Sequence, residues 1–169
     1  MLFIFVILLP AIPSLQALWW EKLNVNIEVK TADFNYPRSK GYWAHCIREA
    51  LEKGEGLEEI EEYLDNVSSL SRIFSFSGST VDKLVDAYNT LMPHSRHSDM
   101  SQKLKAQLLA LWLNYVSGYA SGHTIPTSDG SSLTAYDIII EAENVLINSE
   151  HDRMELMKDL CESYNTWWE

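Results

Sequence analysis

The 169-residue chain contains two cysteines, Cys46 and Cys161, and no Cys-x-x-Cys pair, which excludes the spacing of a reactive dithiol. Also missing are His-Glu-x-x-His, Gly-x-Ser-x-Gly, a phosphate-cradling glycine loop and a dinucleotide fingerprint, so the common enzyme classes lack their sequence handles. Positive charge is scarce as well: 13 Lys and Arg stand against 24 Asp and Glu, for a net charge of −11. With an isoelectric point near 4.8, the chain repels nucleic acid and anionic lipid, and no nucleic-acid partner is expected. The densest acidic run holds Glu55, Glu58, Glu59, Glu61, Glu62 and Asp65 but not the ligand order of an EF-hand, and reads as the solvated face of a helix.

The first twenty residues lack charge altogether. "LFIFVILL" is followed by Pro10 and Pro13, which would break a continued membrane helix, and the apolar core is too short to cross ~30 Å of hydrocarbon. Residues 1–17 are therefore expected to be a secretory signal ending at Ala17, with an uncleaved anchor as the alternative, although a basic leading segment is missing. Either reading places the rest of the chain outside the cytoplasm, secreted or held at the cell surface, with a membrane tether through the N-terminal segment in the second case. In an oxidising compartment Cys46 and Cys161 have only each other, so a structural disulfide between them is expected, with separate buried thiols as the alternative. Closing a loop of ~115 residues would contribute about 4 to 5 kcal/mol in the chain-entropy model.

Composition is that of an ordinary globular protein, 46% apolar and 22% charged, and the length suits one domain with one core. "LNVNIEVK" alternates Leu23, Val25, Ile27 and Val29 with polar residues, the period of a half-buried strand. Pro37 and Gly41 then mark a boundary, so residues 18–40 read as an extended strand or linker and 41–169 as a helical domain. Helical periods follow: Trp43, Ile47, Ala50 and Leu51; then Leu57, Ile60, Tyr63, Leu64 and Val67 in a segment extending to Phe74; then Val81, Leu84, Val85, Tyr88 and Leu91, capped by Ser79 or Thr80 and stopped by Pro93. "MSQKLKAQLLALWLNYVSG" is apolar almost all round and should be the hub of the core. "HTIPTSDGSSL" reads as a turn-rich connector with Ser131 or Ser132 as a cap, and two further helices separate near residues 148–150. The expected fold is all-α: a single-domain bundle of about five to six helices around a central apolar helix.

Gly41-Tyr42-Trp43 opening a helix, His45 just after it, and Gln107-Leu108-Leu109-Ala110-Leu111 leading to Asn114 and Ser117-Gly118 resemble a helical module of secreted and surface proteins of archaea and bacteria, often at the end of larger chains. Asp129-Gly130 and Asn165-Thr166 share in the likeness, which covers residues 41–166. The resemblance implies no catalytic residues. A basic residue commonly stands between the Trp and the His of such modules; Ala44 occupies that position here. The resemblance also suggests that Leu23–Lys30 is a remnant of, or an attachment to, an upstream domain.

Among the histidines, His45, His94, His97, His123 and His151, two sets carry chemistry worth weighing. His45 lies on a helix one turn before Glu49, close enough to pair with it, and beside Cys46, from which helical geometry turns it away. His94 and His97, with Asp99, lie in a loop where they would bind a metal only if they converged. Trp19-Trp20 and Trp167-Trp168 are aromatic pairs suited to an interface or a membrane surface, or to folding back on the body. The leading expectation is an exported, non-catalytic module with a protein-protein interaction or structural role at the cell surface, no cofactor, and a protein or surface component as partner. The rival is a secreted metal-dependent hydrolase using these histidines and nearby carboxylates.

Overall fold

A computed structural model describes residues 36–93, 99–120, 122–126 and 130–166, which fall within one compact unit. Six helices and one two-stranded antiparallel hairpin make up the described residues. The helices are α1 (Lys40–Lys53), α2 (Leu57–Leu70), α3 (Thr80–Leu91), α4 (Met100–Val116), α5 (Ala135–Ile147) and α6 (His151–Asn165). The hairpin pairs β1 (Thr124–Pro126) with β2 (Ser132–Thr134), Ile125 opposite Leu133. The expected leader 1–17 and strand 23–30 lie outside the described residues, as do His94, His97, Trp167 and Trp168 and the Trp19-Trp20 pair.

The apolar run in α4 has the consequence its pattern demands. Leu104, Leu108, Leu109, Leu111, Trp112 and Leu113 are all buried, because α4 packs against every other helix. On one side lie α1, α2 and α3, which also pack on one another; on the other lie α5 and α6. Burying that many large side chains at about 1.5–3 kcal/mol each makes α4 the main source of apolar stabilisation.

Two polar clusters lock this arrangement. In the first, fully buried Asn114 accepts at Oδ1 from the Trp43 indole N–H (3.1 Å) and the Arg38 backbone N–H (2.7 Å). Its amide donates to the Arg38 carbonyl (2.8 Å) and to Asn165 Oδ1 (2.9 Å), and Asn165 donates in turn to the Gln107 carbonyl (3.0 Å). One amide chain thus joins the segment before α1, α1 itself, α4 and α6. The part these residues play in the fold is structural. Ala44, between Trp43 and His45, is buried.

In the second cluster the fully buried Glu143 of α5 accepts from Ser71 Oγ (2.6 Å), Trp112 Nε1 (3.0 Å) and the backbone and Nε of Arg72 (each 3.2 Å to Oε2). Ser71 Oγ also receives the backbone N–H groups of Ile73 and Phe74. The α2 pattern extends to Phe74, yet the helix stops at Leu70, because this anchor draws Ser71 and Arg72 away from helical geometry. At the edge of α2, Glu61 and Asp65 bind Lys83 of α3 at 3.0 and 2.7 Å.

Other expectations are corrected. The buried stripe of α3 is Leu84, Ala87 and Leu91, whereas Val81 and Val85 are 55% and 39% exposed: the helix turns its Leu84–Ala87–Leu91 face to the core. The expected cap is borne out at Ser79, in a reciprocal capping box with Asp82. The connector after α4 contains the hairpin, and the cap of α5 is Thr134 with Asp137, not Ser131 or Ser132. Cys46 and Cys161 are free thiols, so the expected disulfide is not formed. Both face inward, but in different halves: Cys46 belongs to α1, which packs on α2, α3 and α4, and Cys161 to α6, which packs on α4 and α5.

Candidate functional site

The helical spacing of α1 brings Tyr42, His45, Cys46 and Glu49 onto one side of the helix, one turn apart. At its end Gly54 and Gly56 both adopt left-handed backbone conformations, φ 76° and 68°, which lets α2 return alongside α1 through a short turn. Glu59, Ile60 and Tyr63 of α2 then face the α1 residues, and Tyr119, just after α4, joins Trp43 at the wall. The result is a half-open cleft of about 290 Å³ whose lining includes Glu55.

Aromatic rings dominate its walls. Trp43 meets Tyr42 and Tyr63 edge-on, at centroid distances of 5.5 and 6.1 Å, and Tyr119 at 5.9 Å. The Arg38 guanidinium lies 5.0 Å from the Tyr42 ring centroid and 5.2 Å from that of Tyr119. Its buried Nε has no hydrogen-bond partner, so ring faces supply much of what holds this cation. Trp43 is fixed in turn by Asn114, which ties the cleft wall to the buried amide chain.

The polar groups have local partners. Tyr63 donates its hydroxyl to Glu59 Oε1 at 2.5 Å; burial, with this carboxylate second, pushes its pKa up. Burial and the neighbouring thiol push Tyr42 up to about 12. Burial likewise raises the Cys46 pKa, against the lowering effect of the Tyr42 hydroxyl, so the thiol stays protonated at neutral pH. The exposed His45 receives the Arg48 guanidinium on Nδ1 at 3.1 Å, and Glu49 pairs with Lys53, which lowers the Glu49 pKa. The expected His45–Glu49 pair is therefore replaced by two separate pairs, each carboxylate or imidazole taking the longer cationic side chain within helical reach. Cys46 and His45, though adjacent, have different partners. A thiolate nucleophile with its base is not assembled here.

Among the described residues no group of three His, Cys, Asp or Glu side chains is arranged to hold a metal ion, and no helix is long and apolar enough to cross a membrane. His94 and His97, and with them the loop site they suggested, lie outside those residues. His45, Cys46 and Glu49 do converge on one cleft. The sequence reading missed Glu59, Tyr63 and Tyr119 as their companions. Tyr63 fits an ordinary core stripe, Glu59 a solvated face, and Tyr119 follows the glycine that ends the hub helix, so only the α1–α2 turn reveals their convergence. No protein-family model, curated protein or solved structure matches the chain.

Proposed function

We propose that the chain is an exported, non-catalytic helical module that binds a protein or another component at the cell surface, with the cleft between α1 and α2 as its contact site. The observation carrying this reading is the cleft: aromatic walls, an open mouth, and polar groups engaged in local pairs instead of a relay to a reacting atom. The uncharged leader and the likeness of Gly41-Tyr42-Trp43, Gln107 to Leu111, Asn114 and Asn165 to a module of exported proteins support the location. The strong negative charge favours partners other than nucleic acid.

The test is to fractionate producing cells and determine the mass of the native N-terminus, alongside assays for ester and peptide hydrolysis with and without added zinc. Recovery outside the cytoplasm, with no hydrolysis above background, is the expected result. Cytoplasmic recovery removes the export reading. Zinc-dependent hydrolysis lost on replacing His45, His94 or His97 replaces the binding module by the rival, a secreted hydrolase.

A further inference from the structure

We infer that the α1–α2 cleft recognises an organic ammonium group, with Tyr63 as ring contact and Glu59 as counter-charge. This rests on the reading of the cleft as a binding site and names the chemistry that would enter it.

Three observations converge. First, Tyr42, Trp43, Tyr63 and Tyr119 all line the cleft, and their ring quadrupoles favour a cation over an anion or a neutral polar group. Second, the charged residues of the lining are Glu49, Glu55 and Glu59, with His45 the sole residue able to become positive; neither Lys nor Arg belongs to the wall. Lys53 is engaged by Glu49 and Arg48 by His45, leaving Glu55 and Glu59 of the lining to face an incoming charge. Third, the protein already uses this aromatic cluster for a cation, since Arg38 rests over Tyr42 and Tyr119. Its charge opposes a second cation nearby, and Glu55 and Glu59, the two carboxylates of the lining not paired with a lysine, offset it.

Size narrows the class. A cleft of about 290 Å³ sits at the lower end of small-molecule sites and suits a methylated or primary ammonium on a short alkyl chain. Two sources share that chemistry, a free small molecule and the side chain of a partner's lysine.

Titrations of the folded full chain by isothermal calorimetry and by ¹H–¹⁵N spectra, following the Trp43 indole resonance, test the inference with three probes. These are choline, its uncharged isostere 3,3-dimethylbutan-1-ol, and a short lysine-containing peptide. Choline or the peptide should saturate the site at least tenfold more tightly than the isostere; whichever binds more tightly identifies the source. Glu59→Gln, which keeps an acceptor for Tyr63, should weaken binding roughly five- to tenfold, and Tyr63→Leu should abolish it. Glu62→Gln, on the same helix outside the cleft wall, should change nothing. Circular dichroism confirms that each variant is folded. Equal affinity for choline and the isostere overturns the ammonium assignment but leaves a binding cleft. Absence of binding by all three probes, or binding insensitive to both Glu59→Gln and Tyr63→Leu, overturns it as well. The location and hydrolysis assays decide the broader function independently.

Discussion

The indole N–H of Trp43 donates to Oδ1 of Asn114 at 3.1 Å, so one wall of the surface cleft is positioned from inside the hub helix. The Asn114 side chain makes four hydrogen bonds, to Trp43, Arg38 and Asn165, and has no solvent to replace them. Asn114→Ala leaves the Trp43 and Arg38 N–H groups and the Asn165 amide oxygen without their partner, and should cost about 3–5 kcal/mol. Trp43→Phe removes one donor while Arg38 still satisfies Asn114, and should cost less, about 1–2 kcal/mol. Urea unfolding measures both, and equal costs would show that the amide chain does not act as a unit.

Glu143 accepts hydrogen bonds only. Glu143→Gln keeps the shape but turns an amide N–H₂ toward these donors, and should destabilise by about 2–4 kcal/mol. Arg72→Ala should cost about 1–2 kcal/mol, because the Arg72 side chain is half exposed and three other donors to Glu143 remain. A neutral Glu143→Gln in the same unfolding experiment would mean that the carboxylate charge is not needed.

Native protein purified without reductant should carry two titratable thiols. Cys46 should alkylate slowly at neutral pH and faster above it, since burial raises its pKa. Cys161, buried in the core with its pKa pushed up to about 12, should react only on unfolding. Mass spectrometry after timed alkylation separates the two; a bridged species would contradict the free thiols.

The same Cys161 sets an alkaline limit. Its folded pKa lies above the ordinary 9.0, so the unfolded chain loses this proton first. The stabilisation is fully present below pH 9 and is lost as pH rises toward 12, at up to about 1.4 kcal/mol per pH unit. Tyr164, raised from 10.0 to about 12 by burial, adds to the loss in the same direction. Cys161→Ala should flatten the fall of stability with pH between 9 and 12, as followed by thermal melts.

Each capping box predicts an effect at the acid end. Asp82 and Asp137 are held below the usual aspartate pKa by Ser79 and Thr134. Their contribution is present above pH 3.8 and disappears as the pH falls through the lowered folded values. Ser79→Ala or Thr134→Ala should cost about 1 kcal/mol at neutral pH and less in acid, where the box is already broken. Melting temperatures across pH 2–7 provide the check.

What the sequence made legible depended on range. The nearly continuous apolar surface of Leu104 to Leu113, broken only by Lys105 and Gln107, identifies a helix surrounded by others. Ser79 announces a cap through its own neighbours. Val81 and Val85 mislead because hydrophobicity does not say which of two apolar faces is covered, and buried Ala87 carries little signal. The strands around Ile125 and Leu133 are three residues each, too short for alternation to register. The meeting of Trp43, Asn114 and Asn165 depends on where α4 places them, as does that of Tyr63 and Tyr119 in the cleft. The separation of Cys46 from Cys161 is likewise a matter of which helices share a face.

The central position of α4 also bears on synthesis. Helices α1, α2 and α3 leave the ribosome before the helix that covers their inner faces has been translated. Until Met100–Val116 emerges, Leu64, Leu84 and Leu91 lack their final neighbours, and the nascent chain displays a greasy surface to whatever chaperone or translocation machinery receives it.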